Sequence, residues 1–206
     1  MIVLGNNVNR FIEVISNCLY YLLMNSLNPG VILISDPFLK DPNFMRTVVF
    51  VCDHRNDGSF GFVPNRRYSQ TLDQLLPDLD DFPINVYYGG PVQNDTLHFI
   101  HALPEQIPEG KEVADGIYWG GNFETVLTLI QNRSLDLNRI RFFLGYSGWS
   151  NGQLENEMKE KSWLTVSGTK KLVFHEQPEA AWKDAVRQLG KKYEEIINYP
   201  IDPQLN

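Results

Sequence analysis

The strongest constraint on the fold is one short run with no polar position in its interior. Thr47-Val-Val-Phe-Val-Cys52 is β-branched and apolar almost throughout, a pattern that predicts a central strand. It runs into Asp53-His-Arg-Asn-Asp57-Gly58, and an Asp-Gly pair between apolar runs is a strong hairpin signal. Phe60-Gly-Phe-Val63 resumes the extended pattern and stops at Pro64, which has no N–H to donate to a ladder. An antiparallel pair is therefore expected at the heart of the chain.

Other segments read as further strands: Val31–Ile34, Ile84–Tyr88, Thr96–Ala102, Gly116–Trp119, Ile140–Leu144 (ending at Gly145), Trp163–Val166 and Leu172–Phe174. Helices are expected at four places. Ser69 would cap one carrying Leu72, Leu75 and Leu76. Asn122 would cap a second, with Phe123, Val126, Leu127 and Ile130 turned inward. Ser150 or Asn151 would open a third, with Leu154 and Met158 one turn apart. Pro178 would start the last, with Ala181, Trp182, Ala185, Val186 and Leu189 on its packed side. Hairpins mixed with scattered helices favour an α+β fold with a mostly antiparallel sheet over a doubly wound one. The 206 residues are expected to form one domain over 29–198, with a tail at 199–206. Residues 1–28 stand apart. Phe11–Met24 is either a short amphipathic helix or a stretch upstream of a start at Met24, and it is too short to span a bilayer.

Eighteen basic against 25 acidic residues give a net charge of -7, which opposes coating of nucleic acid or anionic membrane. Cys18 and Cys52 fall in different elements and cannot build a disulfide framework; two reduced thiols suit the cytoplasm.

No complete catalytic motif is present. Gly145-Tyr-Ser-Gly-Trp149 resembles a nucleophile elbow, but the elbow needs a glycine two residues after the serine, where Trp149 stands. His98 and His101, three apart on a strand, face opposite sides and cannot chelate one ion. Asp36, Asp41, Asp53 and Asp57 sit at loop ends, where Asx turns explain them. Gly89-Gly90-Pro91 and Gly120-Gly121 lack the lysine of a phosphate loop. Arg66 and Arg67, with Tyr68 beside them and Arg46 and Arg55 as further candidates, are the nearest approach to a nucleic-acid contact, and Asp73, Asp78, Asp80 and Asp81 oppose it. No cofactor or metal site is expected.

Three segments together resemble the AlgH/YqgE family. They are Gly30–Val49 with His54 and Gly58–Gly61; Gly89-Gly-Pro-Val92 with His98 and His101; and Phe143-Leu-Gly-Tyr-Ser-Gly-Trp-Ser-Asn-Gly-Gln-Leu-Glu155 with Glu157 and Trp163. The resemblance implies an α+β fold whose sheet is strongly bent into a partial barrel with flanking helices. It also implies a bacterial cytoplasmic protein labelled a transcriptional regulator, with no established reaction. Two departures stand out. Pro64-Asn65-Arg66-Arg67 replaces the family's Leu-Asn-Arg/Lys-Pro, leaving that loop less constrained, and residues 1–28 lie outside the pattern. The expectation is a regulator acting through a protein partner. The alternatives are a small-molecule-binding protein or weak hydrolase, with a pocket near Gly89–Val92 and Gly145–Glu155, and a direct DNA binder. The candidate ligand or partner surface is Asp53, His54, Asn65, Gly90, Pro91, Tyr146, Trp149, Gln153 and Glu155, all placed in expected turns of the family segments.

Overall fold

The computed structural model describes residues 27–199, apart from 78, 80 and 81. The expected helix over 11–24, Cys18 and residues 200–206 lie outside the described residues. Within them, ten strands form one sheet: β1 (Val31–Ser35), β2 (Val48–Arg55), β3 (Gly58–Phe62), β4 (Arg67–Thr71), β5 (Asn85–Tyr88), β6 (Val92–His101), β7 (Lys111–Ala114), β8 (Ile117–Trp119), β9 (Ile140–Ser150) and β10 (Trp163–Ser167). Their order is β10-β1-β2-β3-β9-β6-β8-β7, with β4 and β5 attached to the side of β9. Among the described residues only β5 against β9 is parallel. The sheet is bent and does not close, so the fold is α+β and mostly antiparallel. The helices are α1 (Leu72–Leu75), α2 (Phe123–Gln131), α3 (Gln153–Lys159), α4 (Lys170–Val173), α5 (Ala181–Gln188) and α6 (Glu194–Ile197).

The apolar run that forms β2 is buried on both faces. Val48, Phe50 and Cys52 pack with Phe143 and with Trp182 of α5, while Val49 and Val51 pack with Trp149, Trp163 and the Leu154 and Met158 of α3. A third cluster seats Val126 and Ile130 of α2 against Phe99, Phe142 and Leu144. Covering both faces removes the need for a polar alternate position, which is why β2 carries none.

β9 organises the bend. Its first half lies between β5 and β6, with Phe142 opposite Val86 and Phe99, and its second half pairs with β3 from Ser147 opposite Gly61. The change of partner falls at Gly145, whose φ is +69°; a Cβ there would lie 2.8 Å from the carbonyl oxygens of both Gly90 and Val92. Only glycine fits that conformation and that space.

Several expectations are corrected. The strand from Ile140 does not end at Gly145 but continues to Ser150, so Tyr146, Ser147 and Trp149 lie in a strand and not a turn. Ser69 sits in β4, paired against β5, and Thr71 is the N-cap of α1, its N–H donating to Gln74 Oε1. Neither Ser150 nor Asn151 caps α3; Gly152 does, in the left-handed region, while Gln153 Oε1 accepts from the Ser150 N–H. Leu172 and Val173 are helical, with Phe174 as the C-cap: the Thr169 side chain accepts from the Leu172 N–H and starts α4. β7 carried no signal strong enough to predict it. The loop at Arg66-Arg67 is pinned, because the Arg66 guanidinium donates to the carbonyls of Pro42, Asn43 and Met45 at 2.9, 2.9 and 3.3 Å. No helix among the described residues is long and apolar enough to cross a membrane.

Candidate functional site

The β2–β3 hairpin forms, but it turns over Asn56 and Asp57, with Gly58 already paired to Arg55 as the first residue of β3. Just before the turn the register shifts between Val51 and Asp53, so that Asp53 comes opposite Phe60. Simple alternation would put Asp53 on the Val49–Val51 face. The bulge turns it onto the face of Phe60 and Phe62 instead, a recurrent use of bulges beside binding sites.

That face borders a cleft of about 540 Å³. Asp53, Phe60, Phe62, His98, Trp119 and Tyr146 line it, with Gly148 leaving part of its wall without a side chain. Its size lies within the usual range for small-molecule pockets. The aromatic walls are mutually braced: Phe60 meets Trp119 at 4.8 Å and Tyr146 at 6.1 Å, both edge to face. His98 lies 5.2 Å from Phe62 and 5.9 Å from Tyr146. Asp53 is only 8 % exposed, and its carboxylate bridges Arg55 at 2.9 Å and Lys111 at 3.5 Å. The cleft is apolar within and charged at the rim.

His98 is the histidine on this wall. Its Nε2 is buried without a partner, and burial pushes its pKa below the ordinary histidine value, so the ring is neutral at pH 7. The other ring nitrogen, Nδ1, is not among the buried unpartnered atoms. His101, on the opposite face, is a satisfied core histidine: its Nε2 lies 3.0 Å from the Gly120 carbonyl and its Nδ1 accepts from the Leu103 N–H at 3.1 Å.

The nine residues singled out from the sequence do not share one surface. Asp53 and Tyr146 line the cleft. Trp149 borders it, but its ring lies on the opposite face, 6.3 Å from Phe44 and 6.1 Å from Trp163. It is buried, so it does not belong to the candidate surface proposed for it. On that opposite face Pro91, Trp149, Gln153 and Glu157 border a second hollow of about 380 Å³. There Glu157 Oε2 accepts both indole N–H groups, of Trp149 and of Trp163, at 2.8 Å each. His54 also faces that way, 2.7 Å from the Ser59 hydroxyl and 3.9 Å from Glu155. Asn65 belongs to neither place; it clamps β2, accepting from the Val48 N–H and donating to the Arg46 carbonyl. Gly90 contributes backbone packed against Tyr146, where a Cβ would approach to 2.3 Å. Phe60, Phe62, His98 and Trp119 were missed. Alternation along β3 pairs Phe60 with Phe62, but only the β3–β9–β6 pairing brings His98 to them.

Other candidates resolve into structural roles. The Ser147 hydroxyl is buried and donates to the Gly89 carbonyl at 3.0 Å, so it is not poised as a nucleophile. Asp36 and Asp41 accept backbone N–H groups two residues on, as Asx turns. The arginines form no common face. Arg55 pairs with Asp53, Arg67 with Glu179, Arg66 holds three carbonyls, and Arg46 donates to the Tyr199 carbonyl. Among the described residues no group of three or more His, Cys, Asp or Glu is placed to hold a metal.

The family model described as AlgH-like matches residues 32–194. A UPF0301 protein of Cytophaga hutchinsonii is 41% identical over 181 residues, covering 87% of this chain and all of that one. A UPF0301 protein of Parabacteroides distasonis is 39% identical, over 86% of this chain and 90% of its own. The solution structure of the AlgH protein from Pseudomonas aeruginosa superposes with a TM-score of 0.66 at 29% identity, covering 84% and 94% of the two chains. A crystal structure of a Corynebacterium diphtheriae protein shares the fold, with a TM-score of 0.70 at 18% identity over 85% and 94%.

Proposed function

The chain belongs to the AlgH-like family, and on that premise we propose that it is a small-molecule-binding protein whose ligand occupies the cleft between β3, β9 and β6. The observation that carries this reading is a half-buried histidine, its Nε2 without a partner, set in a largely aromatic wall of the cleft. Such a wall suits a flat, largely apolar molecule. The His98 ring suits a hydrogen-bonding oxygen or nitrogen on that molecule, and the rim charges of Asp53, Arg55 and Lys111 orient its polar end. Burying an aromatic ring of about 150 Å² at about 25 cal/mol/Å² contributes about 4 kcal/mol before ordering costs, which by itself suits an affinity no tighter than about millimolar. The site is here a binding site; no side chain in it forms a nucleophile–base pair.

Titration with anilinonaphthalene sulfonate tests the reading. That probe offers flat rings and an acceptor group, and its fluorescence rises on desolvation. Saturable binding is expected in the parent protein. Gly148→Leu should abolish it with the fold intact by circular dichroism, because an added Cβ already meets the Tyr146 ring at 3.0 Å and a longer side chain fills the cleft. Absence of saturable binding, or equal binding by the variant, overturns the reading.

Regulation through protein contacts is a second reading, supported by Phe38. Its ring is 58 % exposed and lies 5.1 Å from that of Tyr199, an uncovered aromatic pair of the kind that protein partners bury. Regulation of transcription would then pass from the filled cleft to a partner. The cytoplasm is the compartment that suits the unpaired, buried Cys52 thiol. Direct DNA binding has no support from a common arginine face.

A further inference from the structure

A third cavity, of about 180 Å³, lies at the start of β9, on the far side of the molecule from the hairpin. Arg67, Asn85, Tyr87, Asn138, Arg141 and Glu176 are among the residues that line it. Arg141 is the unusual member. It is only 6 % exposed, yet no carboxylate among the described residues lies within ion-pair distance of it. Its Nη1 donates to the Pro64 carbonyl and its Nη2 to the His175 carbonyl, and its guanidinium carbon sits 4.4 Å over the Tyr87 ring. Those two bonds leave three of five N–H donors without a protein partner. Arginine stays charged in proteins, and buried charges are almost always paired. Burial penalises the guanidinium most; nearby Arg67 adds repulsion, and Tyr87 and Glu179 offset part of it without a direct ion pair.

The groups around it do not supply the missing anion. The Glu179 carboxylate reaches Arg67 at 3.6 Å but not Arg141. Glu176 lines the cavity without pairing with either arginine. The His175 ring is committed elsewhere, to Asp184 at 2.9 Å and to the Gln177 N–H. We propose that this cavity binds a small phosphate group, held by the free edge of the Arg141 fork and closed over by Arg67, with the Asn85 and Asn138 side chains beside it. Two guanidinium groups would face one doubly charged oxyanion, which gives Arg141 the counterion it lacks and adds to the 3.6 Å contact of Arg67 with Glu179. The chemistry is the same for inorganic phosphate and for a phosphomonoester, and the volume accommodates the phosphate itself while any ester tail would extend outward.

The test follows amide shifts of the labelled protein on titration with inorganic phosphate and with glycerol phosphate, at an ionic strength held constant with chloride. Saturable shifts are expected at Asn85, Tyr87, Asn138 and Arg141. Tighter binding of the ester identifies the site as one for phosphorylated small molecules, and tighter binding of the free ion identifies it as one for phosphate itself. Arg67→Ala, at a half-exposed position outside the core, should keep the fold and weaken binding about tenfold. Arg141→Lys keeps the charge but loses the fork, and should weaken it further. If neither ion produces saturable shifts there, or if Arg67→Ala binds as tightly as the parent, the proposal is wrong and Arg141 serves only to tie β9 to the two carbonyls.

Discussion

Replacing Glu157 by alanine tests how the α3 face is held. One oxygen of this carboxylate accepts the indole N–H of Trp149 and that of Trp163, each at 2.8 Å, and the other accepts from Gln153 at 2.9 Å. Both indoles are almost wholly buried, while Glu157 itself is half-buried. Alanine removes a charged acceptor from two donors that cannot turn to another. A hydrogen bond to a charged group contributes about 1.5–3 kcal/mol, and the two share one oxygen beside a hollow that admits water, so a loss of about 2–4 kcal/mol is expected for the pair. With a urea slope of about 2 kcal/mol/M, the unfolding midpoint falls by about 1–2 M. Glu157→Gln keeps one acceptor oxygen and should cost about 1 kcal/mol. The assay is urea unfolding followed by tryptophan fluorescence and far-ultraviolet circular dichroism together. A loss below about 0.5 kcal/mol for the alanine variant would refute the reasoning, since water would then be replacing the carboxylate at no cost.

Gly145→Ala should cost at least about 2 kcal/mol or prevent folding, because it combines a left-handed φ with two carbonyl oxygens 2.8 Å from the new Cβ; near-parental thermal stability would contradict this. Asn65→Ala strands the Val48 N–H and the Arg46 carbonyl and should cost about 1–3 kcal/mol, read from the urea midpoint. His98 and His101 both have pKa values lowered by burial. The unfolded chain therefore takes up protons first, so their contribution is complete above about pH 6.5 and is lost as pH falls from there through the folded values. Urea midpoints measured from pH 7.5 to 5 should decline, and less steeply in His98→Phe; identical slopes in parent and variant would count against the assignment. Asp184, whose pKa is lowered chiefly by its hydrogen bond to His175, adds a second loss only below the ordinary aspartate range, which Asp184→Asn should remove.

Where local chemistry decides the outcome, the chain was readable in advance. The β2 run, the stop at Pro64, the Asn122 cap and the Trp182 face of α5 depend on residues within a few positions of one another, and each appears where expected; the hairpin also forms, but β2 runs on through Asp53 and His54 to Arg55, so those residues lie in a strand and not in the expected turn. Two of the misreadings share a cause. Ser69 and the supposed end at Gly145 have local preferences that distant pairing overrides: β5 recruits Ser69 into β4, and β3 draws β9 onward past Gly145. Leu172 and Val173 were misread for a local reason, the Thr169 cap that starts their helix. Glycine ends a strand by propensity, yet here it is the residue that lets one strand serve three neighbours.

Composition, patterning and turn chemistry therefore determined the class of fold, the central hairpin and the shared segments of the family, because those properties are carried by nearest neighbours along the chain. Which candidate residues meet was decided only in three dimensions. A single-residue shift in register turns Asp53 from one face of β2 to the other, and no pattern in 206 letters records that shift. His98 joins Phe60 and Tyr146, and Arg141 loses any counterion, through pairings across dozens of residues. Side chains on a sheet point to alternate faces, so a site built on one is set by register and partner choice, and both belong to the tertiary structure.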